Sequence, residues 1–182
     1  MQQDRLIGAA GDGSYEAFRA WAGRPEYGNS LLVRWMLVVV THLHHEVDGA
    51  VERDDQTRQL IDWVSAAPVT DAQVVMGDFN ANPAEPAVQR MRSHGYRSAY
   101  AEANGEDPPV TWPSGLQAPA IDTDGDPACL DYIWIRGGVR VVSARLAFDR
   151  PDPEDPGLLP SDHFGIAARL ELGLRDGRWE VR

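Results

Sequence analysis

The sequence predicts an α/β sandwich, and three observations carry that prediction. Apolar runs of strand length recur along the 182 residues, the clearest at Trp35–Leu43, Val74–Met76, Leu130–Ile135, Val139–Phe148 and Phe164–Leu172. Two stretches of helical periodicity, Glu52–Ala66 and Glu85–His94, lie among them. Long loops rich in Pro and Gly separate the later strands, and polar clusters gather where strands end.

Taken in order, Gln3–Trp21 is expected to be helical, divided into two pieces by the Gly11-Asp-Gly-Ser cluster. Tyr27–Arg34 reads as a loop entering a strand. Trp35–Leu43 reads as a strand whose polar residues are held to its far end, and no turn signal separates the two stretches. Glu52–Ala66 places Leu60, Ile61 and Val64 together with Trp63 beside them, an amphipathic helix ended by Pro68. Val74, Val75 and Met76 suit a strand buried on both faces. Glu85–His94 is a second helix, stopped by Gly95. Ala101–Pro127 is loop-rich, and the four prolines of Pro151–Pro160 make that segment a loop. No repeat or linker divides the chain, so residues 1–182 read as one domain, with 174–182 as a C-terminal tail.

Composition narrows the function classes. Hydrophobic residues make up 43% and charged residues 25%, as in ordinary globular proteins. No apolar run approaches a membrane span, and Met1-Gln-Gln-Asp-Arg lacks the features of a signal peptide. A single cysteine, Cys129, excludes an internal disulfide framework, so the cytoplasm is the expected compartment. The net charge of −11 weighs against tight binding to long nucleic acid. It leaves phosphate chemistry open, because a divalent ion held by carboxylates can bring the phosphate in.

The chemistry is concentrated in four clusters. They are Thr41-His42-Leu43, Gly77-Asp78-Phe79-Asn80, Leu130-Asp131-Tyr132-Ile133 and Ser161-Asp162-His163-Phe164. Asp78 and Asn80 stand two apart, which in extended chain puts both on one face. A catalytic pair and an Asx turn capping the next helix both satisfy that stretch. Asp131 sits between apolar neighbours and needs a partner, for which His163 is the natural choice.

In this order the clusters resemble the endonuclease/exonuclease/phosphatase superfamily. The matching words are Thr-His-Leu, Gly-Asp-Phe-Asn-Ala, Leu-Asp-Tyr-Ile and Ser-Asp-His, with Thr111-Trp112-Pro113-Ser114 as their companion. The helix carrying Arg53, Arg58 and Gln59 resembles the segment that follows Thr-His-Leu in the family. The resemblance covers roughly residues 27–172. It implies a deoxyribonuclease-like four-layer sandwich, two packed β-sheets flanked by helices, and hydrolysis of a phosphate ester. It implies that Asp78 orients or deprotonates the attacking water, and that Asn80 holds that water and a phosphate oxygen. His163 would contact the scissile phosphate, with Asp131 fixing its tautomer, and His42 would approach from the opposite side. Asp162 would be a ligand of Mg²⁺ or Mn²⁺, directly or through water.

Two words of the family are absent from the sequence: the first strand bearing an Asn, and the next ending in Gln-Glu, whose Glu is the principal metal ligand. Gln3–Ala10 is therefore expected to be the helix that follows that Glu, in a domain incomplete at its N-terminus and shortened after Arg34. A rival reading of the same fold is a binding protein or impaired remnant without turnover. A third, a serine hydrolase using Ser161 with Asp131 and His163, lacks the glycines of a nucleophile elbow. Asp122-Thr-Asp-Gly-Asp126 reads as a solvated turn rather than a calcium loop, since its glycine comes too early. His44 and His45 read as loop or rim residues, Trp112 as packing, and Cys129 as a small buried side chain.

Overall fold

The computed structural model describes residues 5–10, 13–21, 27–33, 36–67, 71–118, 125–173 and 179–181, with 5–10, 13–21, 27–33 and 179–181 given as backbone only. Strands β1 (Arg5–Ala10), β2 (Gly13–Trp21) and β3 (Tyr27–Val33) form an antiparallel meander that leads into β4 (Met36–His42). Helix α1 (Ala50–Ala66) crosses over to β5 (Ala72–Asp78), which pairs in parallel with β4. After α2 (Pro86–Ser93), β6 (Arg97–Ser98) and α3 (Ala99–Asn104), strand β7 (Asp131–Gly137) returns antiparallel beside β5. The seven strands run in the order β1-β2-β3-β4-β5-β7-β6. A second sheet is built from β8 (Val139–Ala147), β9 (Gly165–Gly173) and β10 (Trp179–Val181), in the order β10-β9-β8.

The helix expected over Gln3–Trp21 is instead the β1–β2 hairpin, and the expected helix Gln3–Ala10 falls with it. Ala and Glu in this stretch carry little β preference of their own; pairing with β3 across the sheet overrides local propensity. Gly13 and Ser14 of the Gly-Asp-Gly-Ser cluster open β2, paired with Ala10 and Ala9 of β1, and the rest of the cluster lies outside the described residues. Tyr27–Val33 is strand throughout, and Val33 pairs with Met36, so the neighbouring strand-like stretches form a hairpin without a sequence signal between them. Helix α3 falls partly inside the expected loop. Its caps are legible, with Ser98 Oγ accepting from the Ala101 N–H and Gly105 at φ 97° closing it, but six residues carry no periodicity. Trp179–Val181, in the expected tail, pairs with β9.

The core has two layers, one on each face of the large sheet. On one face α1 and α2 place Ile61, Val64, Val88 and Met91 over Leu37, Val39 and Val75. Phe79, Tyr132 and Trp134 join them, the last two stacked with ring centroids 4.9 Å apart. On the other face Ala72, Val74 and Ile135 meet Val139, Leu170 and Leu172 of the second sheet. Val74 and Val75 thus serve opposite layers, which is why β5 reads as an unbroken apolar run. Short α3 packs against β8 of the smaller sheet, completing two packed sheets with helices outside them. Among the described residues no helix is long and apolar enough to cross a membrane.

Candidate active site

Strand register brings three of the polar clusters into one row. His42 pairs with Asp78 across the parallel β4–β5 ladder, and Asp78 pairs with Asp131 across the antiparallel β5–β7 ladder. All three residues therefore stand at the same end of three adjacent strands. Main-chain bonds extend the ladders one step beyond it, from Leu43 N to Asp78 O (2.9 Å) and from Phe79 N to Leu130 O (2.9 Å). The fourth cluster arrives from the loop before β9 and completes the site with His163.

The Gly77–Asn80 stretch is shaped by three distinct demands. Gly77, at φ 135°, faces the Thr41 carbonyl so closely that a Cβ there would lie 1.9 Å from its oxygen. Only glycine permits the β4–β5 approach. Phe79 is fully buried, edge-on to Tyr132 and Trp134, and anchors the segment in the core. Asn80 is not in extended chain, as simple alternation predicts, but at φ 47°. Its backbone N–H donates to Asp78 Oδ1 at 2.8 Å, an Asx turn, and its side-chain amide donates to Leu43 O at 3.0 Å. Asparagine is among the few residues that accept this backbone conformation cheaply. The turn forms but caps no helix, since α2 starts behind Glu85; it fixes Asp78 and Asn80 side by side at the strand end.

Asp131 Oδ2 and His163 Nδ1 are 2.8 Å apart, which fixes the imidazole's orientation. His163 Nε2 then faces Asp78 Oδ2 at 3.8 Å, and His42 Nε2 approaches the same oxygen at 3.5 Å. Burial works against a charged His163, but the hydrogen bond and charge of Asp131, with Asp78 and Asp162, outweigh it and raise its pKa. Asp78 is also raised, first by burial and then by the Asp131 carboxylate, against the lowering effect of the Asn80 N–H and the two histidines.

Thr111 and Ser114 brace this pair. Thr111 is wholly buried, and its Oγ1 accepts from the N–H groups of Leu130 (2.9 Å) and Asp131 (3.1 Å). Its carbonyl accepts from Phe164 N at 2.7 Å. Ser114 donates its hydroxyl to Ser161 O at 2.6 Å and its N–H to Asp162 O at 2.7 Å. One short segment therefore holds both the strand bearing Asp131 and the loop bearing His163. Trp112 between them is mostly buried, its ring 6.5 Å from that of His163. The sequence shows this segment as a motif but not its role, because its partners are distant main-chain groups.

A cleft of about 960 Å³ opens over the row, lined by His42, Asp78, Asn80, Asp131, Asp162 and His163 among others. Its far wall is held by Arg53, which is buried at 2% exposure yet fully engaged. Its guanidinium donates to Glu85 Oε2 (2.8 and 3.1 Å) and to the carbonyls of Glu46 (2.6 Å), His44 and Val47 (both 3.4 Å). Glu85 in turn accepts both the backbone and side-chain N–H groups of Asn82 at 3.1 Å. His44 and His45 lie in this loop, half-buried and exposed respectively. Cys129 is buried, and burial pushes its thiol up to about 12, so it offers no nucleophile. Most of the Asp122–Asp126 acidic run lies outside the described residues.

The donor set suits a hard divalent cation. Asp78, Asp131 and His163 offer ligand atoms all within 4.8 Å of one another. Two facing carboxylates, one of them raised in pKa by the other, are relieved by a cation between them. Oxygen donors match Mg²⁺ or Mn²⁺, whereas His163 Nδ1 is already committed to Asp131. Asp162 lines the same cleft outside that trio, its Oδ1 accepting from Ser161 Oγ at 3.2 Å.

Two packed sheets thus carry an Asp–His couple, a second carboxylate and an asparagine together at one strand end. A model of the endonuclease/exonuclease/phosphatase family matches residues 2–163, and the chain belongs to that family. It is 28% identical over 141 residues to nocturnin of Xenopus laevis, covering 72% of this chain. It spans about a third of that relative's length (34%). Among solved structures it is similar to an endonuclease/exonuclease/phosphatase from Bacteroides vulgatus, at TM-score 0.60 and 22% identity over 87% of this chain and 56% of that one. It is also similar to D. rerio TDP2 complexed with a single-strand DNA product, at TM-score 0.63 and 14% identity over 93% and 67% of the two chains. The human nocturnin catalytic domain with bound sulfate matches at TM-score 0.53 and 20% identity, over 92% and 59%. These likenesses establish the deoxyribonuclease-like sandwich.

Proposed function

We propose that this chain is a metal-dependent phosphodiesterase that hydrolyses its substrate with an activated water. The observation that carries the reading is the convergence of Asp78, His163 and His42 on one point of the cleft, with Asp131 bonded behind the histidine at 2.8 Å. Asp78 takes the proton of the attacking water, for which a raised pKa suits a base. Asn80, held in its turn, binds that water and a phosphate oxygen. The new bond joins the water oxygen to phosphorus, and the bond from phosphorus to the ester oxygen breaks in line with it, the ester oxygen leaving with the bonding pair and taking a proton from solvent. His163 keeps its proton through Asp131 and lays positive charge against a non-bridging oxygen, while His42 contacts the phosphate from the opposite side. Asp162, with the carboxylates of Asp78 and Asp131, would hold Mg²⁺ or Mn²⁺, which supplies further neutralisation of phosphate charge. A phosphate ester is the only partner this mechanism requires, and cytoplasm remains the expected compartment.

The rival reading, a binding protein of the same fold without turnover, draws on the absence of the Gln-Glu word from the sequence. Hydrolysis of bis-p-nitrophenyl phosphate across a Mg²⁺ and Mn²⁺ titration separates the two. The expected outcome is turnover that chelator abolishes. Asp78→Asn and His163→Ala should each lower it by roughly 10²–10³-fold, the usual effect of removing one preorganised group. Asp131→Asn should cost less, since it acts through the histidine. A metal-independent rate indifferent to Asp78→Asn would sink the mechanism.

A further inference from the structure

A second concavity, of about 630 Å³, lies between the end of α3 and the end of β8. Tyr100, Asn104, Arg145, Phe148, Arg150 and Pro160 shape it. It adjoins the catalytic cleft along the chain, because Pro160 closes the groove and the next residues, Ser161 to His163, line the cleft. Neither the fold nor the phosphoester chemistry described above uses it.

Phe148 is its most telling member. The side chain is 65% exposed, and the backbone sits at φ 58°, a conformation unfavourable for a bulky L-residue. Strain that displays an aromatic ring to solvent is the kind found at ligand sites. The ring is also seated. Ala147 pairs with Gly165, and a Cβ at Gly165 would stand 2.9 Å from Phe148 Cδ2 and 3.3 Å from Cε2. Glycine at that position lets the ring rest against β9, two residues beyond His163, with much of its surface open. Asn104 fixes the opposite wall by donating to Tyr100 O (3.0 Å) and Ala144 O (3.2 Å).

The charges around the ring are just as specific. Among the described residues Arg150 makes no hydrogen bond or ion pair, and Arg145 donates only to its neighbour's carbonyl, Leu146 O. Two guanidinium groups without a carboxylate partner line the groove beside an exposed ring, with Asp149 the lone acid there, on a chain of net charge −11. A planar ring and adjacent cations match a nucleobase and the phosphate attached to it.

We propose that this groove is a nucleotide subsite. The base next to the scissile phosphate of a short single strand stacks on Phe148, and its flanking phosphate lies between Arg145 and Arg150. This deepens the phosphodiesterase reading and rests on it for the position of the scissile bond. Stacking also reconciles a nucleic-acid substrate with an acidic protein, since it needs little of the long-range field that a duplex requires.

The test measures binding apart from turnover. Fluorescence anisotropy of 5′-fluorescein-labelled hexadeoxyuridylate and hexauridylate is read in chelator, and bis-p-nitrophenyl phosphate hydrolysis is run with Mg²⁺ on the same proteins. Phe148→Ala should weaken hexamer binding by about tenfold, from loss of one stacking platform. Phe148→Leu, which fills the same seat without a π face, should do likewise, and Phe148→Tyr should restore binding. Arg145→Ala and Arg150→Ala should each weaken binding and flatten its salt dependence. None should alter hydrolysis of the small diester, which does not reach the groove. The ratio of the two hexamer affinities assigns the sugar. Equal hexamer affinity in wild type and Phe148→Leu overturns the proposal, as does failure of both hexamers to bind. Phe148-dependent binding without diester hydrolysis would leave the subsite standing and remove the phosphodiesterase reading instead.

Discussion

Thr111 shows how much of this site depends on a residue with no chemistry of its own. One buried hydroxyl oxygen receives the N–H groups of both Leu130 and Asp131, so replacing it leaves two partly buried donors without an acceptor. Thr111→Val, nearly isosteric, should cost about 1–3 kcal/mol of stability. It should also lower kcat more than it raises KM, because Asp131 loses its seat behind His163. Thr111→Ser should recover both. Denaturant melts with parallel diester assays check this, and a Thr111→Val protein as stable as wild type would dismiss the hydroxyl as an anchor. Asp78, Asn80, Asp131, His163 and His42 are legible in the sequence because each interrupts the apolar logic of a strand end. Thr111, Ser114 and Arg53 have ordinary neighbours, and their partners are carbonyls and amides elsewhere in the chain.

Among the elements, α1 and α2 are joined by charge as well as by apolar packing. Arg90 reaches Asp54 with two bonds of 2.6 and 2.5 Å, and this hydrogen bonding holds the Asp54 carboxyl below its ordinary value. A depressed carboxylate stabilises the fold above its unfolded pKa, and the contribution is lost as pH falls through the depressed value. Asp54→Asn should therefore lower Tm at neutral pH, with the gap closing below about pH 4. Both side chains are partly exposed, so the effect should stay under about 1 kcal/mol. A gap that persists unchanged into acid would assign the loss to packing. The helices were legible from their periodicity and the central strands from apolar runs. The N-terminal meander was not, because its strands are defined by pairing with one another rather than by their residues.

At the scale of the whole molecule the two core layers are unequal. The face between helices and sheet buries Phe79, Tyr132, Trp134 and Met91 almost completely. The face between sheets is closed largely by residues of β9 that remain partly exposed, such as Ala168, Leu170 and Leu172. Local opening follows burial, so amides of β5 and β7 should exchange slowest and those of β8 and β9 markedly faster. Hydrogen exchange read by mass spectrometry checks the order. Equal protection of the two sheets would mean that the smaller one is covered in solution by something more than its own residues. The α/β sandwich was legible from apolar runs mixed with helical periodicity, but its two packed sheets only through the polar words at the strand ends, since nothing in an isolated apolar run says which of two sheets it joins.

The guanidinium of Arg53 grips the loop after β4 by its carbonyls, at residues 44, 46 and 47, and leaves that loop's side chains alone. The shape of the cleft wall is thereby separated from the identity of the groups displayed on it. His45 and Val47 line the cleft and are exposed, and among the described residues His45 meets only its own chain neighbours, Glu46 at 3.4 Å and the ring of His44. Replacements there change what a substrate meets while the wall keeps its course. Selection can thus retune what the cleft prefers at those two positions one mutation at a time, with no intermediate that has to pass through a misfolded site.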